Sequence, residues 1–364
     1  MMKEPCNTGR QLNIDVAKCY EIVAMILVHS LVFLGVNVET GFGYVADLWI
    51  GGFMGAPVFV VCMGVGLAYS RNNSPKTIIS RGAFLLLAGY ILNFLRTTPL
   101  ALSFFLRGLF MEHLKMITNL LLAGDIFQFA GLALIFFGIL RHIKLRDISI
   151  LILSIIFSLC ATMIPTLRAQ GLMVSEAAGL VILFAVGKFP AGSFPLATWF
   201  IFVAFGYWFG NKLRNIKNLD RFYLTIAFPC LFICIIGVLF EYRYGINMMK
   251  DELGYHHMIL TDAVLCLCYC MFSFSFLHFV SKLFSLKLKT LCMTMSNALN
   301  IIYLIHWVLV ACIMAVVAER HIPLLAIIGI ALFVLVISTW LGIRAKKAIH
   351  DHPKKFQRSI LRYL

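Results

Sequence analysis

The chain has 364 residues and a formal net charge of +15; 61% of its residues are hydrophobic and 13% are charged. A soluble domain of this length cannot bury so much apolar surface, and runs long enough to cross a bilayer recur from end to end, so the composition predicts a polytopic membrane protein. The basic excess lies in short loops that alternate along the chain, which argues against nucleic acid as a partner.

Loops rich in Lys and Arg alternate with loops of smaller positive excess, as the positive-inside rule describes, and both chain ends fall on the cytoplasmic side. We therefore predict an all-α polytopic membrane protein of about ten transmembrane helices in one bundle, a single domain over residues 1–364. The basic loops also favour contact with anionic membrane lipids. The predicted spans lie near residues 12–35, 44–69, 79–95, 116–140, 147–165, 193–211, 222–240, 258–281, 294–318 and 322–343.

Two apolar stretches do not fit this alternation as full crossings. The segment "GLMVSEAAGLVILFAVG", residues 171–187, would put a basic loop on the outer side if it crossed, so we expect it to be re-entrant or interfacial. The segment "TPLALSFFLRGLF", residues 98–110, is interpreted in the same way. Counting the first segment as a crossing gives an alternative bundle of eleven helices.

The first predicted span, "DVAKCYEIVAMILVHS", carries four ionisable residues. At 100° per residue, Asp15, Lys18, Glu21 and His29 fall within an arc of about 120°, so one face of the helix must contact protein or water. The three-residue spacing lets Lys18 partly neutralise Asp15 and Glu21, which would pin this helix to its neighbours. His29 stands alone toward the outer leaflet. It is either a buried histidine bonded to a backbone carbonyl or, as we prefer, a proton acceptor, because neutral imidazole is inexpensive to bury.

Other polar residues converge on the outer half of the predicted bundle. Asp47 enters the second span from outside, Asp125 lies in the outer part of the fourth, and His306 lies near the middle of the ninth. His257 belongs to the longest outer loop. Several polar groups at one depth indicate a cavity more than separate helix contacts.

Such a cavity suits two classes of protein. A secondary transporter places ionisable groups at the midplane and commonly shows repeated halves with interrupted helices. This chain shows no such repeat, and its charges concentrate in the first helix. A membrane enzyme that moves a group onto an acceptor needs a base near one face and a basic entrance for an anionic donor on the other, so an enzyme is favoured.

The spacing of Arg10, Asp15, Lys18 and His29 resembles the opening of the transmembrane acyltransferases. Later segments are similar to motifs of the heparan-α-glucosaminide N-acetyltransferase catalytic family, and the likeness runs from about Arg10 to Trp307. That family usually has asparagine at the position of His29, where the broader acyltransferase-3 family of sugar O-acetylating enzymes has histidine. The similar segments are "VADLWIGGFMGAPVFVVCMGVGL", "GDIFQFAGLAL", "SFPLATWFIFVAFGYWFG" and "NALNIIYLIHW".

The resemblance implies that acetyl-CoA binds from the cytoplasmic side and that the acetyl group passes through the bundle to a sugar on the outer side. His29 is then the expected general base, and Asp47 or Asp125 orients it or binds the sugar. Arg10 and Lys18 are expected to meet the phosphates of CoA. The residues expected to bind substrate or donate to the oxyanion are Gln128, Asn300, Tyr303, His306 and His257.

We therefore hypothesise an acetyl-CoA-dependent N-acetyltransferase of a bacterial inner membrane, acting on the amine of a terminal glucosamine of a heparan-type saccharide. The alternatives are an O-acetyltransferase of a cell-envelope polysaccharide and, further away, a secondary transporter. Nearly all of the eleven cysteines fall inside predicted spans, where they act as small core residues, so no metal is expected. The oligomeric state stays open, a homo-oligomer included.

Overall fold

The computed structural model describes residues 5–34, 55–169, 194–239, 258–317 and 322–351, and the regular elements in these ranges are helices. A short 3₁₀ turn, Ser281–Leu283, follows the ninth α-helix. Segment 171–187 lies outside the described residues, so its predicted interfacial placement stays a prediction. The α-helices are α1 Leu12–Phe33, α2 Ala56–Tyr69, α3 Pro75–Leu106, α4 Leu114–Leu122, α5 Ile126–His142, α6 Asp147–Ala169, α7 Leu196–Leu213, α8 Leu219–Leu239, α9 Leu260–Val280, α10 Leu286–Val317 and α11 Leu324–Asp351.

In the described part of the chain, six helices are long and apolar enough to cross a membrane, and three shorter helices are also apolar. A helix of 22 residues such as α1 is about 33 Å long, which matches the hydrocarbon thickness of a bilayer. The prediction of an all-helical, multi-pass membrane protein is therefore confirmed. The count of ten crossings, the cytoplasmic termini and the single domain stay predictions.

Helix α3 includes most of residues 98–110. The helix runs for 32 residues and passes through Pro99, so residues 98–106 continue α3 and are not a separate segment, while their predicted interfacial placement stays a prediction. Pro99 has no N–H to donate to the Leu95 carbonyl, and the Thr98 hydroxyl donates to the preceding carbonyl, that of Phe94, at 2.7 Å. The helix ends before Gly108, whose φ of +75° is a left-handed conformation that ends helices.

The predicted span at 116–140 is divided into α4 and α5. Asp125 begins α5 with a capping box: its side chain accepts from the Ile126 N–H at 2.7 Å, and the Gln128 side chain accepts from the Asp125 N–H at 3.1 Å. Apolar residues on both sides of the break gave one continuous hydropathy signal, which is why the sequence predicts one helix. The break matters because it turns the Asp125 carboxylate toward the interior of the bundle.

Close backbone contact joins α2 to α7 and α3 to α5. A Cβ atom added to Gly64 would lie 2.8 Å from the Tyr207 nitrogen and 2.9 Å from the Gly206 Cα. A Cβ atom added to Gly131 would lie 2.7 Å from the Leu86 nitrogen. Small residues are what allow membrane helices to approach this closely.

Replacing Gly64 with alanine is expected to destabilise the protein by about 1–3 kcal/mol, because the added methyl group must push apart two backbones that cannot yield as a side chain would. Thermal unfolding in detergent measures the change. Gly66→Ala is the matched control on the same helix, since a Cβ atom there meets nothing within 4 Å. An equal loss from both substitutions would show that helix flexibility, not close packing, sets the effect.

The interface of α1 with α10 positions the residues described next. Ile22 and Ile26 of α1 pack against Leu299 and Ile302 of α10 in one buried cluster. Helix α11 closes the other side of this pair of helices. Side chains that follow these apolar positions at intervals of three or four residues must therefore also meet in the interior.

Candidate active site

His29 and His306 meet in the interior of the bundle. His29 follows Ile26 by three residues, and His306 follows Ile302 by four, so the α1–α10 packing brings both imidazoles to one place. The distance from His29 Nδ1 to His306 Nε2 is 3.0 Å, although the residues are 277 positions apart. One nitrogen of this contact must donate while the other accepts, so a single N–H lies between the two rings. His306 is fully buried and His29 is half-buried.

Aromatic rings surround this histidine pair. The centroid of the Trp307 ring lies 4.3 Å from the His29 ring and 5.1 Å from the Phe33 ring. The indole N–H of Trp307 is buried and interacts with the Tyr303 hydroxyl, although it forms no hydrogen bond of ordinary geometry among the described residues. A buried donor whose bond is poorly formed costs free energy, so this N–H can donate to a substrate atom.

A largely buried ion pair lies beside the rings. Arg96 of α3 donates to Asp125 at 2.7 Å, and the two side chains are 11% and 17% exposed. The Arg96 guanidinium also lies over the Trp307 ring, 4.8 Å from its centroid. Asp125 is close enough to His29 to act on it electrostatically, and the Tyr303 hydroxyl faces the same carboxylate. The pair therefore connects the start of α5 to the histidines.

The structure also describes three further predicted substrate residues, Tyr303, Gln128 and Asn300. The Tyr303 ring packs 5.2 Å from His306 and 4.7 Å from Phe127. Gln128 is buried against the backbone of Gly89, and its amide nitrogen has no partner within the described ranges. Asn300 is half-buried on α10, one turn before Tyr303.

Two of the predicted residues, Asp47 and His257, lie outside the described residues. The structure thus brings together His29, Asp125, Tyr303 and His306, with Gln128 joined through the capping box. The catalytic and binding roles assigned to these residues stay predictions.

At the other end of α1, Arg10 is engaged in an ionic network. Its guanidinium donates to Asp15 at 2.9 Å, to the Met293 carbonyl at 3.0 Å and to Asn297 at 3.0 Å, while the Ser296 hydroxyl donates to Asp15 at 2.6 Å. The hydrogen bond to Asp15 raises the pKa of Arg10 above its ordinary value. Arg10 therefore holds the start of α1 to α10.

Asp15 does not pair with Lys18, although the three-residue spacing along α1 predicts this pair. Its ion-pair partner is Arg10, five residues earlier and outside the helix, and the described residues contain no ion pair of Lys18. Glu21 is buried, and its Oε1 atom has no partner in the part of the chain that is described. A chain bend before α1 brings Arg10 back over the helix end, a geometry that the three-residue spacing rule does not include.

Sequence reasoning missed Arg96 and Trp307. The predicted third span ended at residue 95, so Arg96 was placed at the membrane boundary and not in the interior. A signal was present, because Arg96 is the only charged residue between Arg81 and Arg107. A lone arginine inside a long apolar helix indicates a functional site by default.

No group of three or more His, Cys, Asp or Glu side chains that could hold a metal ion occurs within the described ranges. The chemistry that these residues offer is acid–base: a histidine pair, a charged pair beside it, and buried N–H donors around them. Such an arrangement suits transfer of a group between two substrates.

Comparison with known proteins agrees with this chemistry. The acyltransferase-3 family, described as an acyltransferase domain, matches residues 11–343, which is most of the chain. Neither a curated protein nor a solved structure gives a significant match. The family match and the apolar helices together support a multi-pass membrane acyltransferase, which is an enzyme.

Proposed function

The chain belongs to the acyltransferase-3 family, and from this premise we propose that it transfers an acetyl group from acetyl-CoA to a hydroxyl of a cell-envelope polysaccharide. The site would act at the outer side of a bacterial inner membrane, with the acetyl donor entering from the cytoplasm. The observation that carries the proposal is the contact of His29 with His306 at 3.0 Å. A hydroxyl must lose its proton as it attacks, so it needs a histidine base more than a neutral amine does.

In the proposed reaction, His29 accepts the proton of the sugar hydroxyl while that oxygen attacks the thioester carbonyl carbon. The tetrahedral adduct then collapses, the carbon–sulfur bond breaks, and the departing thiolate takes the proton from His29. The products are an acetyl ester and CoA. His306 holds the His29 ring and shares its proton. We prefer this direct transfer to an acetyl-histidine relay, because it needs only one well-placed base.

The oxyanion of the adduct needs preorganised donors. We assign this role to the buried N–H of Trp307, whose ring packs against His29, and to the buried amide nitrogen of Gln128, which is joined to the site through the capping box at Asp125. The Tyr303 hydroxyl, which faces Asp125, is a third candidate. Removing one such donor typically lowers kcat by about 10²–10³ fold. The positive charge of Arg96, which is paired with Asp125, would stabilise the negative charge that develops on the oxyanion.

On the cytoplasmic side, Lys18, which has no ion pair among the described residues, is proposed to meet the CoA phosphates. Arg10 already uses its donors on Asp15, Met293 and Asn297, so we propose that it positions α1. An Arg10 contact with CoA would require this network to open. Arg10 and Asp15 would therefore support donor binding indirectly, by holding α1 in place.

A second candidate is transfer to the amine of a terminal glucosamine of a heparan-type saccharide. The segments similar to the heparan-α-glucosaminide N-acetyltransferase family favour it, and two of those segments contact each other where the Phe127 ring packs 4.7 Å from the Tyr303 ring. The family match stops at the acyltransferase-3 level, so this resemblance stays a prediction.

The acceptor can be decided with purified protein in liposomes and labelled acetyl-CoA. One acceptor is a fully N-acetylated polysaccharide that offers only hydroxyls, and the other is an oligosaccharide that ends in glucosamine. We expect CoA release with the first acceptor and a product that mild alkali cleaves, because esters are alkali-labile and amides are not. Release only with glucosamine, giving an alkali-stable product, would establish the second candidate. Solute uptake without CoA release would indicate transport.

A further inference from the structure

A cavity of about 400 Å³ lies at the end of the molecule that carries the predicted cytoplasmic loops, apart from the histidine pair. It is bordered by the start of α6 and the last turns of α7. Two basic residues, two amides, a tryptophan and an isoleucine contribute to its wall. They are Arg146, Lys212, Asn211, Asn215, Trp208 and Ile148.

The charge in this cavity is positive. Its one carboxylate, Asp147, accepts from Asn211 at 2.8 Å and pairs with Arg141 at 3.4 Å, so its charge is matched by a residue outside the wall. Arg146 and Lys212 have no ion pair in the part of the chain that is described, and both side chains are exposed. Two cations are therefore available to an anion, whereas the Asn211 and Asn215 amides already donate to Asp147 and to the Asn211 carbonyl.

An apolar track leads out of the same cavity. Ile148 lines the wall, and Ile152 and Ile156 follow it at intervals of four residues, so the three lie on one face of α6. Each is about half exposed, with exposed fractions of 47%, 51% and 47%. An exposed isoleucine row on a membrane helix faces lipid acyl chains, and here it begins beside two cations.

We propose that this cavity binds the phosphate headgroup of an anionic phospholipid such as phosphatidylglycerol, with one acyl chain lying along Ile152 and Ile156. Basic pockets between membrane helices on the cytoplasmic side commonly hold such headgroups. Trp208 lies under Lys212, 5.8 Å from its amine, and fits the amphipathic boundary between headgroup and chain. The phosphate of free CoA has the same chemistry as the headgroup, but free CoA has no long acyl chain that would lie along the isoleucine row.

The test compares the full-length protein with the double variant Arg146→Gln and Lys212→Gln. Delipidated protein in a neutral detergent is titrated with phosphatidylglycerol or phosphatidylcholine, and the bound lipid is counted by native mass spectrometry. We expect the double variant to bind phosphatidylglycerol about 30-fold more weakly, roughly 2 kcal/mol for two basic residues, with phosphatidylcholine unaffected. The charge-conserving double variant Arg146→Lys and Lys212→Arg should retain most of the affinity.

The matched control is Arg71→Gln with Lys76→Gln, which removes one exposed arginine and one exposed lysine from another predicted cytoplasmic loop. If both double variants lost the same affinity for phosphatidylglycerol, overall charge would explain the effect and the proposal would be overturned. Unchanged affinity of the cavity variant would overturn it as well. Titration with CoA and dephospho-CoA tests the other phosphate source. A cavity variant that loses only the binding of CoA would also overturn the proposal. Because lipid binding needs no turnover, the result is independent of the proposed reaction.

Discussion

Replacing His29 with glutamine is expected to lower acyl transfer by about 10²–10⁴ fold while the protein stays folded. Glutamine keeps a polar side chain that can still pair with His306, but it cannot accept a proton at neutral pH. The expected loss is therefore in the chemical step and not in folding. Single-turnover release of CoA from a preformed complex with the acceptor measures it, and thermal unfolding checks the fold.

His142→Gln is the matched control, since this histidine is exposed in the last turn of α5, away from the pair. It should transfer acetyl groups at the rate of the unaltered protein. Full activity of the His29 variant would exclude His29 as the base.

In the proposed reaction His306 positions His29, so replacing His306 should change the pH dependence of the rate more than it abolishes the rate. We expect His306→Gln to keep measurable activity and to change the pH dependence of kcat/KM, because the proton shared with His29 is lost. The His142 control should keep the original pH profile. A rate loss with an unchanged profile would indicate that His306 only packs.

Asp125→Asn is expected to destabilise the protein by about 3–5 kcal/mol, because it leaves the buried Arg96 guanidinium without its counter-charge. Asparagine caps helices as well as aspartate does, so the start of α5 should stay intact and the loss should report the ion pair alone. Denaturation in mixed micelles measures the free energy of unfolding. Acyl transfer should fall as well, because the charge beside His29 changes.

A double-mutant cycle separates the pair from its surroundings. Arg96→Met alone should also be destabilising, and the double variant with Asp125→Asn should recover part of the loss, since it removes both buried charges. Asp220→Asn is the surface control: this aspartate is 58% exposed in its pair with Lys282 and should matter little. Additive losses in the cycle would show that Arg96 and Asp125 do not depend on each other.

The sequence alone predicted the class of the protein and several of its residues of interest. Hydropathy and loop charge are local properties of the chain, so they indicated the membrane helices and their alternation without any tertiary information. The unusual charged face of α1 and the histidine at position 306 were visible in the same way. The ends of helices were harder to predict, because hydropathy is averaged over many residues. The apolar residues around Asp125 gave no sign of the break there, and Pro99 gave no sign that the helix continues.

Only the tertiary structure decided which of these residues meet. The contact between His29 and His306 depends on the register of α1 against α10, which is set by packing between segments far apart in the chain. The same is true of Arg96, whose partner Asp125 follows it by 29 residues and an intervening helix, and of Arg10, which turns back onto Asp15. Hydropathy records where a helix lies relative to the membrane, whereas pairing depends on how the helices rotate and slide against one another.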